Sequence, residues 1–318
     1  MDIKTTREIP LNAIRDAAQY VYQAALRTPL VPLNAPHSAN SIYLKLENLQ
    51  PIGSFKIRGA YNAVRKLSDS QRAQGVWTAS AGNAAQGVAL AANKCGTRCT
   101  VVVVDTAPET KKEAVRRLGA HIIEAPFDDF WRALQQRTYP GIEAHFVHPF
   151  DDDDFIAGNA TIGLEILEDL PDVDCIVAPY GGGGLSCGIA SATAALKPSV
   201  KVYGAEPETG APLARSFKNR RADNFPEWQA SWVDGCGGKA VFESMWSLAG
   251  RLLAGSIVSS LDQIRTAMKL LAEKNRLICE GAAACAVAAG MAGPVRGNVV
   301  CIVSGGNIDL SKFCELTS

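Results

Sequence analysis

Uninterrupted apolar segments that each lead into a helix-like segment constrain the fold of this chain most. Segments 100–104 and 298–303 are almost wholly apolar, a pattern typical of strands in a parallel sheet covered on both faces. Strand–helix alternation over 318 residues predicts an α/β fold with parallel sheets and about two domains. We predict strands at 42–46, 75–79, 100–104, 122–123, 175–178, 200–205 and 298–303, and helices at 10–26, 55–67, 84–93, 108–118, 186–196, 261–274 and 282–292.

Charge and hydropathy exclude several classes of protein. Lys plus Arg and Asp plus Glu each number 32, so the chain lacks the basic excess that nucleic acids and anionic membranes attract. No apolar run reaches the roughly 20 residues that cross a bilayer, and the first residues carry no secretory core. The nine cysteines form no C-x-x-C pair and are interpreted as small buried apolar residues. We therefore expect a cytoplasmic protein that binds neither nucleic acid nor membrane.

Four consecutive glycines form the strongest single motif, in Tyr180-Gly181-Gly182-Gly183-Gly184-Leu185. The motif follows a predicted strand and precedes a predicted helix, so its bare N–H groups and the helix dipole favour an anion such as a phosphate. A tight turn without a ligand is the alternative. The motif fits neither the P-loop pattern nor the G-x-G-x-x-G pattern, so neither nucleotide site is expected.

Lys56 stands at the predicted start of a helix, in Ser54-Phe55-Lys56-Ile57-Arg58. The positive end of the helix dipole disfavours a cation, so we expect a lowered pKa for Lys56. The neutral amine is the form that acts as nucleophile or base. Taken alone, however, the residues favour an ordinary surface lysine.

Two further connections between strand and helix carry small polar residues. Segment 78–87 contains Ser80 and Asn83, which suits a carboxylate bound by backbone N–H groups, or a simple helix cap at Asn83. Ser304 follows the last predicted strand, where open α/β sheets bind their ligands, or it is a turn serine.

Together these four motifs resemble the fold-type II pyridoxal-phosphate enzymes, of the threonine dehydratase and serine racemase family. The resemblance extends from Thr28-Pro29-Leu30 to Gly305-Gly306-Asn307. It implies a fold like that of the tryptophan synthase β chain, with two α/β domains, the cofactor pyridoxal 5′-phosphate in the cleft between them, and a homodimer. We expect a large cofactor-binding domain of residues 1–47 plus 149–318, a small domain of residues 48–148, and no C-terminal regulatory domain.

The resemblance also implies roles for individual residues. Lys56 forms the Schiff base with the cofactor and then removes the α-proton of the substrate. Ser304 bonds the pyridine nitrogen. The remaining implied contacts are Phe55 and Gly235 beside the ring, Asn83 at the ring oxygen, Glu280 near the cofactor, Gly181, Gly182, Gly183, Gly184 and Leu185 at the phosphate, and Ser80, Ala81, Gly82, Asn83 and Ala84 around the substrate carboxylate.

Three of these positions bear on the reaction. A neutral serine at the pyridine nitrogen weakens the electron sink, which favours prompt loss of a β leaving group over a long-lived carbanion. Ala81 replaces the second acid/base serine of the racemases, so racemisation should be weak. Ala84 replaces a histidine common in the family, which leaves space for a larger β-substituent such as the phenyl ring of 3-phenylserine, unless a neighbouring side chain fills it.

We therefore expect a dehydratase (ammonia-lyase) that converts a β-hydroxy-L-amino acid into a 2-oxo acid and ammonia. A racemase and a hydroxyaspartate dehydratase of the same family are the alternatives. A β-replacement enzyme is disfavoured, since those prefer an S-V-K-D-R type motif around the lysine. A catalytically inactive sensor that binds pyridoxal phosphate is disfavoured because Lys56, Asn83, the glycine motif and Ser304 are intact.

Three further segments contain acidic residues or histidines. Glu206 matches the cation loop of the family, but Pro212 replaces a second carboxylate, which favours a monovalent over a divalent cation there. An ordinary salt-bridged glutamate is an equal alternative. His145 and His148 are interpreted as structural residues. The acidic run 151–154 is predicted to be a solvated loop between the domains.

Overall fold

The computed structural model describes residues 7–35 and 40–318, and its strands form two separate sheets. The alternation of strand and helix confirms the predicted α/β class. The strands are β1 Leu30–Pro32, β2 Ser41–Lys45, β3 Val76–Ala79, β4 Cys99–Val104, β5 His121–Ala125, β6 His145–Phe146, β7 Cys175–Pro179, β8 Lys201–Pro207, β9 Gly255–Ser259 and β10 Asn298–Ile302.

Helices connect these strands. They are α1 Leu11–Tyr20, α2 Lys56–Arg65, α3 Asp69–Gln74, α4 Asn83–Lys94, α5 Glu109–Arg117, α6 Phe127–Gln136, α7 Asp153–Asp169, α8 Gly184–Leu196, α9 Pro212–Asn219, α10 Glu243–Leu252, α11 Leu261–Leu270, α12 Gly281–Ala292 and α13 Leu310–Thr317. Within the residues described, no helix combines the length and apolar character needed to cross a membrane.

The larger sheet has the strand order β1-β2-β10-β7-β8-β9 and the smaller has the order β5-β4-β3-β6. Every neighbouring pair is parallel except β1 with β2, which is antiparallel, so the expectation of parallel sheets fails at that one edge. The smaller sheet uses residues 76–146 and the larger uses residues 30–45 and 175–302. Both sets fall inside the predicted domains, whose boundaries stay a prediction.

The central strands of the larger sheet are covered on both faces, as their apolar sequences predict. Helix α12 contains mostly alanine and glycine between its ends and is almost wholly buried against the sheet. A Cβ atom at Gly290 would lie 2.3 Å from Cys301 Sγ on β10, so a larger residue there would push the helix away. The other face packs against α7, α8 and α10.

The prediction that the acidic run 151–154 is a solvated loop is wrong. Asp151 is only 6% exposed and pairs with Arg7 and Arg137. Asp152 caps helix α7 by accepting a hydrogen bond from Phe155 N at 2.8 Å. Carboxylates at a helix N-terminus are stabilised by the helix dipole, so this run begins a helix instead of forming a loop.

Several other boundaries differ from prediction. The helix expected at 10–26 ends at Tyr20 and continues as a 3-10 turn, and the helix expected at 261–274 ends in a π-helical turn at Leu271–Asn275. Seven of the nine cysteines are buried, but Cys95 is half-buried and Cys314 is exposed.

Candidate active site

A cleft of about 810 Å³ opens beside the carboxyl ends of strands from both sheets. The segments that follow β3, β7 and β10 all line it, as expected for ligand sites in α/β folds. The residues that the sequence predicted for the site and that the structure brings together here are Phe55, Lys56, Ser80, Ala81, Gly82, Asn83, Ala84, Gly181, Gly182, Gly183, Gly184, Leu185, Gly235, Glu280 and Ser304.

Lys56 is the first residue of α2, and its amine lies in the wall of the cleft. Nζ donates a hydrogen bond to the carbonyl oxygen of Pro149 at 2.7 Å and lies 5.2 Å from the centroid of the Phe55 ring. Burial lowers the pKa of Lys56 to about 8, and the negative charge of Glu280 opposes this shift. The predicted direction is confirmed, but its main cause is burial rather than the helix dipole.

The four glycines form the turn into helix α8. Gly183 is the N-cap residue with φ of 90°, a conformation that favours glycine. A Cβ atom at Gly182 would lie 2.2 Å from the ring of Phe150, so the turn packs directly on that ring. In the part of the chain that the structure describes, the N–H groups of Gly181, Gly182 and Gly183 have no hydrogen-bond acceptor. Together with the first turn of α8 they form an array of free backbone donors.

Ser304 lies just beyond β10 and is 1% exposed. Its carbonyl oxygen accepts a hydrogen bond from Phe55 N at 3.0 Å, and the next residue, Gly305, forms an isolated antiparallel bridge with Ser54. The backbone just before Lys56 is therefore hydrogen-bonded to the backbone at Ser304.

A chain of amide and carboxylate groups crosses the cleft beside Lys56. Asn83 Nδ2 donates to both carboxylate oxygens of Glu280, at 2.9 and 3.1 Å. Asn307 Nδ2 donates to Asn83 Oδ1 at 2.7 Å. Burial raises the pKa of Glu280 to about 7, although the hydrogen bond from Asn83 lowers it. Gly235 lies beside this chain, since a Cβ atom there would be in ordinary contact with Glu280 Oε1 at 3.5 Å.

Asn307 is a site residue that the sequence analysis did not assign. It fixes the side chain of Asn83, and it also donates to the carbonyl oxygen of Ile52 at 2.8 Å. The signal was present, since Asn307 ends the Gly305-Gly306-Asn307 motif that carries the resemblance.

The predicted carboxylate loop, residues 80–84, joins β3 to α4. Its serine is engaged within the loop, because Ser80 Oγ accepts a hydrogen bond from Gly82 N at 3.2 Å. A Cβ atom at Gly82 would meet nothing within 4 Å, so the loop is open on that side. The first turn of α4 supplies backbone N–H groups that are not used within the helix. This combination suits a carboxylate.

An aromatic cluster, which the sequence analysis also missed, forms another wall of the cleft. Phe150 lines the cleft, and its ring centroid lies 4.5 Å from that of His148 and 5.2 Å from that of Phe242. His148 Nδ1 accepts hydrogen bonds from Phe150 N and Asp151 N. Burial lowers the pKa of His148 to about 3, so the ring is neutral, as its structural interpretation requires.

Behind Lys56, a buried ionic network anchors helix α2. Arg58 is fully buried and binds Glu47 through two hydrogen bonds of 2.8 Å and Glu165 through hydrogen bonds of 2.5 and 3.1 Å. Lys45 Nζ lies 2.6 Å from Glu165 Oε2. The buried members are thus two cations and two carboxylates, so the buried network is neutral, and Lys45 also lies 3.6 Å from the partly exposed Asp169. It joins α2 to β2 and α7.

Glu206 lies buried at the end of β8, where its carboxylate accepts three hydrogen bonds. The donors are Leu213 N at 2.8 Å, Ala214 N at 2.9 Å and Ser256 Oγ at 2.6 Å. Burial raises the pKa of Glu206 to about 7. Within residues 7–35 and 40–318, no group of three or more His, Cys, Asp or Glu side chains is placed to hold a metal ion. The carboxylate stabilises the start of α9, and a monovalent cation at this loop stays a prediction.

The cleft fits pyridoxal phosphate. The free N–H groups of the glycine turn suit its phosphate, and the buried amine of Lys56 suits its aldehyde. Ser304 and Asn83 line the same cleft, and their polar side chains suit the polar atoms of the pyridine ring.

Comparisons with known proteins agree with this fit. The family described as pyridoxal-phosphate dependent enzyme matches residues 21–305. An L-threonine ammonia-lyase of Thermotoga maritima is 40% identical over 314 residues, which cover 96% of this chain and 77% of that protein. A solved threonine deaminase isoform 2 from Solanum lycopersicum has a TM-score of 0.89 at 32% identity, covering 98% of this chain and 95% of that one. Maize serine racemase has a TM-score of 0.88 at 30% identity, covering 98% and 96%.

The family match spans most of the chain, and the relatives exceed the identity at which a shared family is expected. The cofactor of the family is pyridoxal phosphate, and the structural neighbours share the fold of this chain over almost their whole length. This chain is therefore a member of the pyridoxal-phosphate-dependent enzymes of fold type II.

Proposed function

We propose that the protein is a dehydratase that converts a β-hydroxy-L-amino acid into the corresponding 2-oxo acid and ammonia. The names of the similar threonine ammonia-lyase and threonine deaminase support this reaction class. The observation that carries the proposal is the contrast between Lys56, a buried amine with a lowered pKa, and Ala81, which offers no second proton donor.

Pyridoxal phosphate, when bound, supplies an electron-withdrawing ring that stabilises negative charge at the substrate α-carbon. The residues of this chain do the rest. The loop 80–84 and the start of α4 hold the substrate carboxylate, and this fixes the α-carbon relative to Lys56. Because burial favours its neutral form, Lys56 Nζ accepts the α-proton as a general base.

Elimination requires one base for the α-proton, and the β-hydroxyl takes up a proton and leaves as water, whereas racemisation requires a proton donor on the opposite face of the α-carbon. Ala81 supplies no such donor at the position where the resemblance implies a serine. The chain therefore favours elimination, although its likeness to maize serine racemase makes racemisation the second candidate.

The β-substituent is the finer part of the proposal. Ala84 lines the cleft, and its methyl group stands where the resemblance implies a histidine. We propose that the preferred substrate carries a bulky apolar group, as 3-phenylserine does, rather than the methyl group of threonine.

Side-by-side assays test both parts of this proposal. Purified holoenzyme is offered L-threonine, L-serine, L-threo-3-hydroxyaspartate and L-threo-3-phenylserine, and release of 2-oxo acid and ammonia is measured. Predominant release of phenylpyruvate supports the whole proposal, and predominant turnover of threonine supports only the reaction class. Formation of D-serine without 2-oxo acid, read by chiral chromatography, would replace the dehydratase with the racemase.

A cytoplasmic homodimer is proposed from the family resemblance alone. Light scattering after gel filtration measures the mass in solution, which should be twice the 33.8 kDa of the chain. A monomer at all concentrations would contradict it, and so would recovery of the protein outside the cytoplasmic fraction of its native cells.

A further inference from the structure

We propose that one face of helix α6, formed by Phe130 and Leu134, is the specificity pocket for the β-substituent of the substrate. The pocket takes an aryl or similarly large apolar group. This inference rests on the proposed function, since it concerns the side chain of the same amino acid substrate.

The two residues lie on one side of the helix, because positions four apart are neighbours on a helix surface. Both line the cleft. Leu134 belongs to the same apolar cluster as Ala79, the residue that directly precedes the carboxylate loop. The α6 face therefore borders the loop that binds the substrate carboxylate.

Aromatic contacts also join α6 to the phosphate-binding turn. Trp131 of α6 meets Phe242 edge-on, with ring centroids 6.2 Å apart. Phe242 meets Phe150 at 5.2 Å, and the Phe150 ring packs against Gly182. These contacts form one aromatic wall from the glycine turn to α6, and of its rings Phe150 lines the cleft together with Phe130 and Leu134 of α6.

The charges in the cleft lie elsewhere. Among the described residues that line it, the charged side chains other than Lys56 and Glu280 come from α5, from Asp234 and from the segment at 309–312. None comes from α6. A β-carboxylate placed against Phe130 and Leu134 would be desolvated without a partner, whereas a phenyl ring would gain apolar contact there.

The test uses amino acids that bind but have no β-hydroxyl group to lose. Isothermal calorimetry on the holoenzyme compares L-phenylalanine with L-alanine, which differ by one phenyl group. We expect L-phenylalanine to bind at least about tenfold more tightly, since an aromatic ring in an apolar pocket gains several contacts. A ratio within about twofold would overturn the inference.

Variants locate the effect on α6. Phe130→Ala should reduce the preference for L-phenylalanine over L-alanine by about fivefold or more, and Phe130→Leu, which keeps most of the apolar volume, should reduce it less. Gln135→Ala is the matched control, because Gln135 is exposed on the same helix and does not line the cleft. An unchanged preference in folded Phe130→Ala or, should that variant not fold, in Phe130→Leu would refute the assignment.

The outcomes separate this inference from the proposed function. One outcome is that L-phenylalanine is preferred and that the preference depends on Phe130, while no hydroxy amino acid yields a 2-oxo acid. That result would support the pocket and contradict the dehydratase proposal. If a 2-oxo acid forms from threonine while L-phenylalanine binds no more tightly than L-alanine, the result supports the dehydratase reaction and contradicts the pocket.

Discussion

Replacing Arg58 with methionine should destabilise the protein strongly, because it removes one charge from a buried and neutral network. Arg58 is fully buried and makes four hydrogen bonds to Glu47 and Glu165, and further ones to Thr161 Oγ1 and the carbonyl oxygen of Leu26. Methionine matches the length of the side chain but supplies neither charge nor donors. The two carboxylates would then share one remaining cation, Lys45.

The magnitude follows from that imbalance. Removing one partner of a buried ion pair costs about 3–5 kcal/mol, because a charge stays buried without compensation. Glu165 keeps Lys45 at 2.6 Å and the Tyr22 hydroxyl at 2.8 Å, so the cost falls mainly on Glu47. Glu47 keeps hydrogen bonds from Thr28 and Gln50, which supports a loss of about 3–4 kcal/mol, toward the lower end of the range.

The loss should depend on pH. Burial raises the pKa of Glu165, but the charges and hydrogen bonds of Arg58 and Lys45 outweigh it and hold the pKa below the usual value. A lowered pKa in the folded state gives stability that is present above the unfolded value of about 4.3 and disappears as the pH falls through the folded value. The difference between native protein and Arg58→Met should therefore shrink in acid.

Urea unfolding of both proteins, with the same saturating cofactor concentration, measures the difference. Arg116→Met is the matched control, because Arg116 also pairs with two carboxylates, Glu109 and Glu113, but its side chain is 41% exposed. Exposed pairs contribute about 0–1 kcal/mol. If Arg58→Met costs no more than Arg116→Met at neutral pH, the reasoning from buried charge is refuted.

Three further predictions concern the cleft. Lys56→Ala should lower the rate of 2-oxo acid release by a factor of about 10² to 10⁴. Lys94→Ala, at the exposed end of α4, is the control and should not change that rate. Equal rates in the two variants would show that Lys56 is not the base. Gly182→Ala should weaken cofactor binding about tenfold or more in a fluorescence titration, because its Cβ atom would overlap the ring of Phe150. Gly238→Ala is the control and should bind the cofactor normally, since no atom lies nearer than 3.8 Å to a Cβ atom there. Glu280→Gln should raise the free energy of unfolding in urea by on the order of 2–3 kcal/mol at about pH 7.5 and by less near pH 4.5. The reason is that the raised pKa of Glu280 makes the native protein lose stability as the pH rises from about 4.3 to about 7. A gain in stability that does not change with pH would contradict this.

The sequence predicted best the strands that are covered by helices on both faces. Segment 100–104 forms most of β4 because helices lie on both sides of the smaller sheet, and Thr100 is the one polar residue in that otherwise apolar segment. Helix α7 was missed for a related reason. It packs against α1, α2 and α8, so it is apolar nearly all round and lacks the period of 3.6 residues that identifies a helix.

The sequence predicted the residues that line the cleft where one short segment contains several of them, as the glycine turn and the lysine motif do. It missed the contacts that depend on distant partners. Arg58 binds carboxylates 11 and 107 positions away, and the aromatic wall joins residue 131 to residue 242. No local pattern reports such a contact. Helix α6 is the exception, since its apolar residues at 130, 133 and 134 are a periodic signal that our prediction did not use.

The lysine motif places two cations two positions apart, and the structure shows why both can be buried. Residues two apart on a helix do not face each other, so Lys56 lines the cleft while Arg58 enters the ionic network behind it. Glu47 and Glu165 neutralise Arg58 where it lies. The pKa of Lys56 is then governed by its own burial and by Glu280, with no contribution from Arg58 among its causes. A permanent charge holds the helix in place, and the amine beside it stays free to lose and accept a proton.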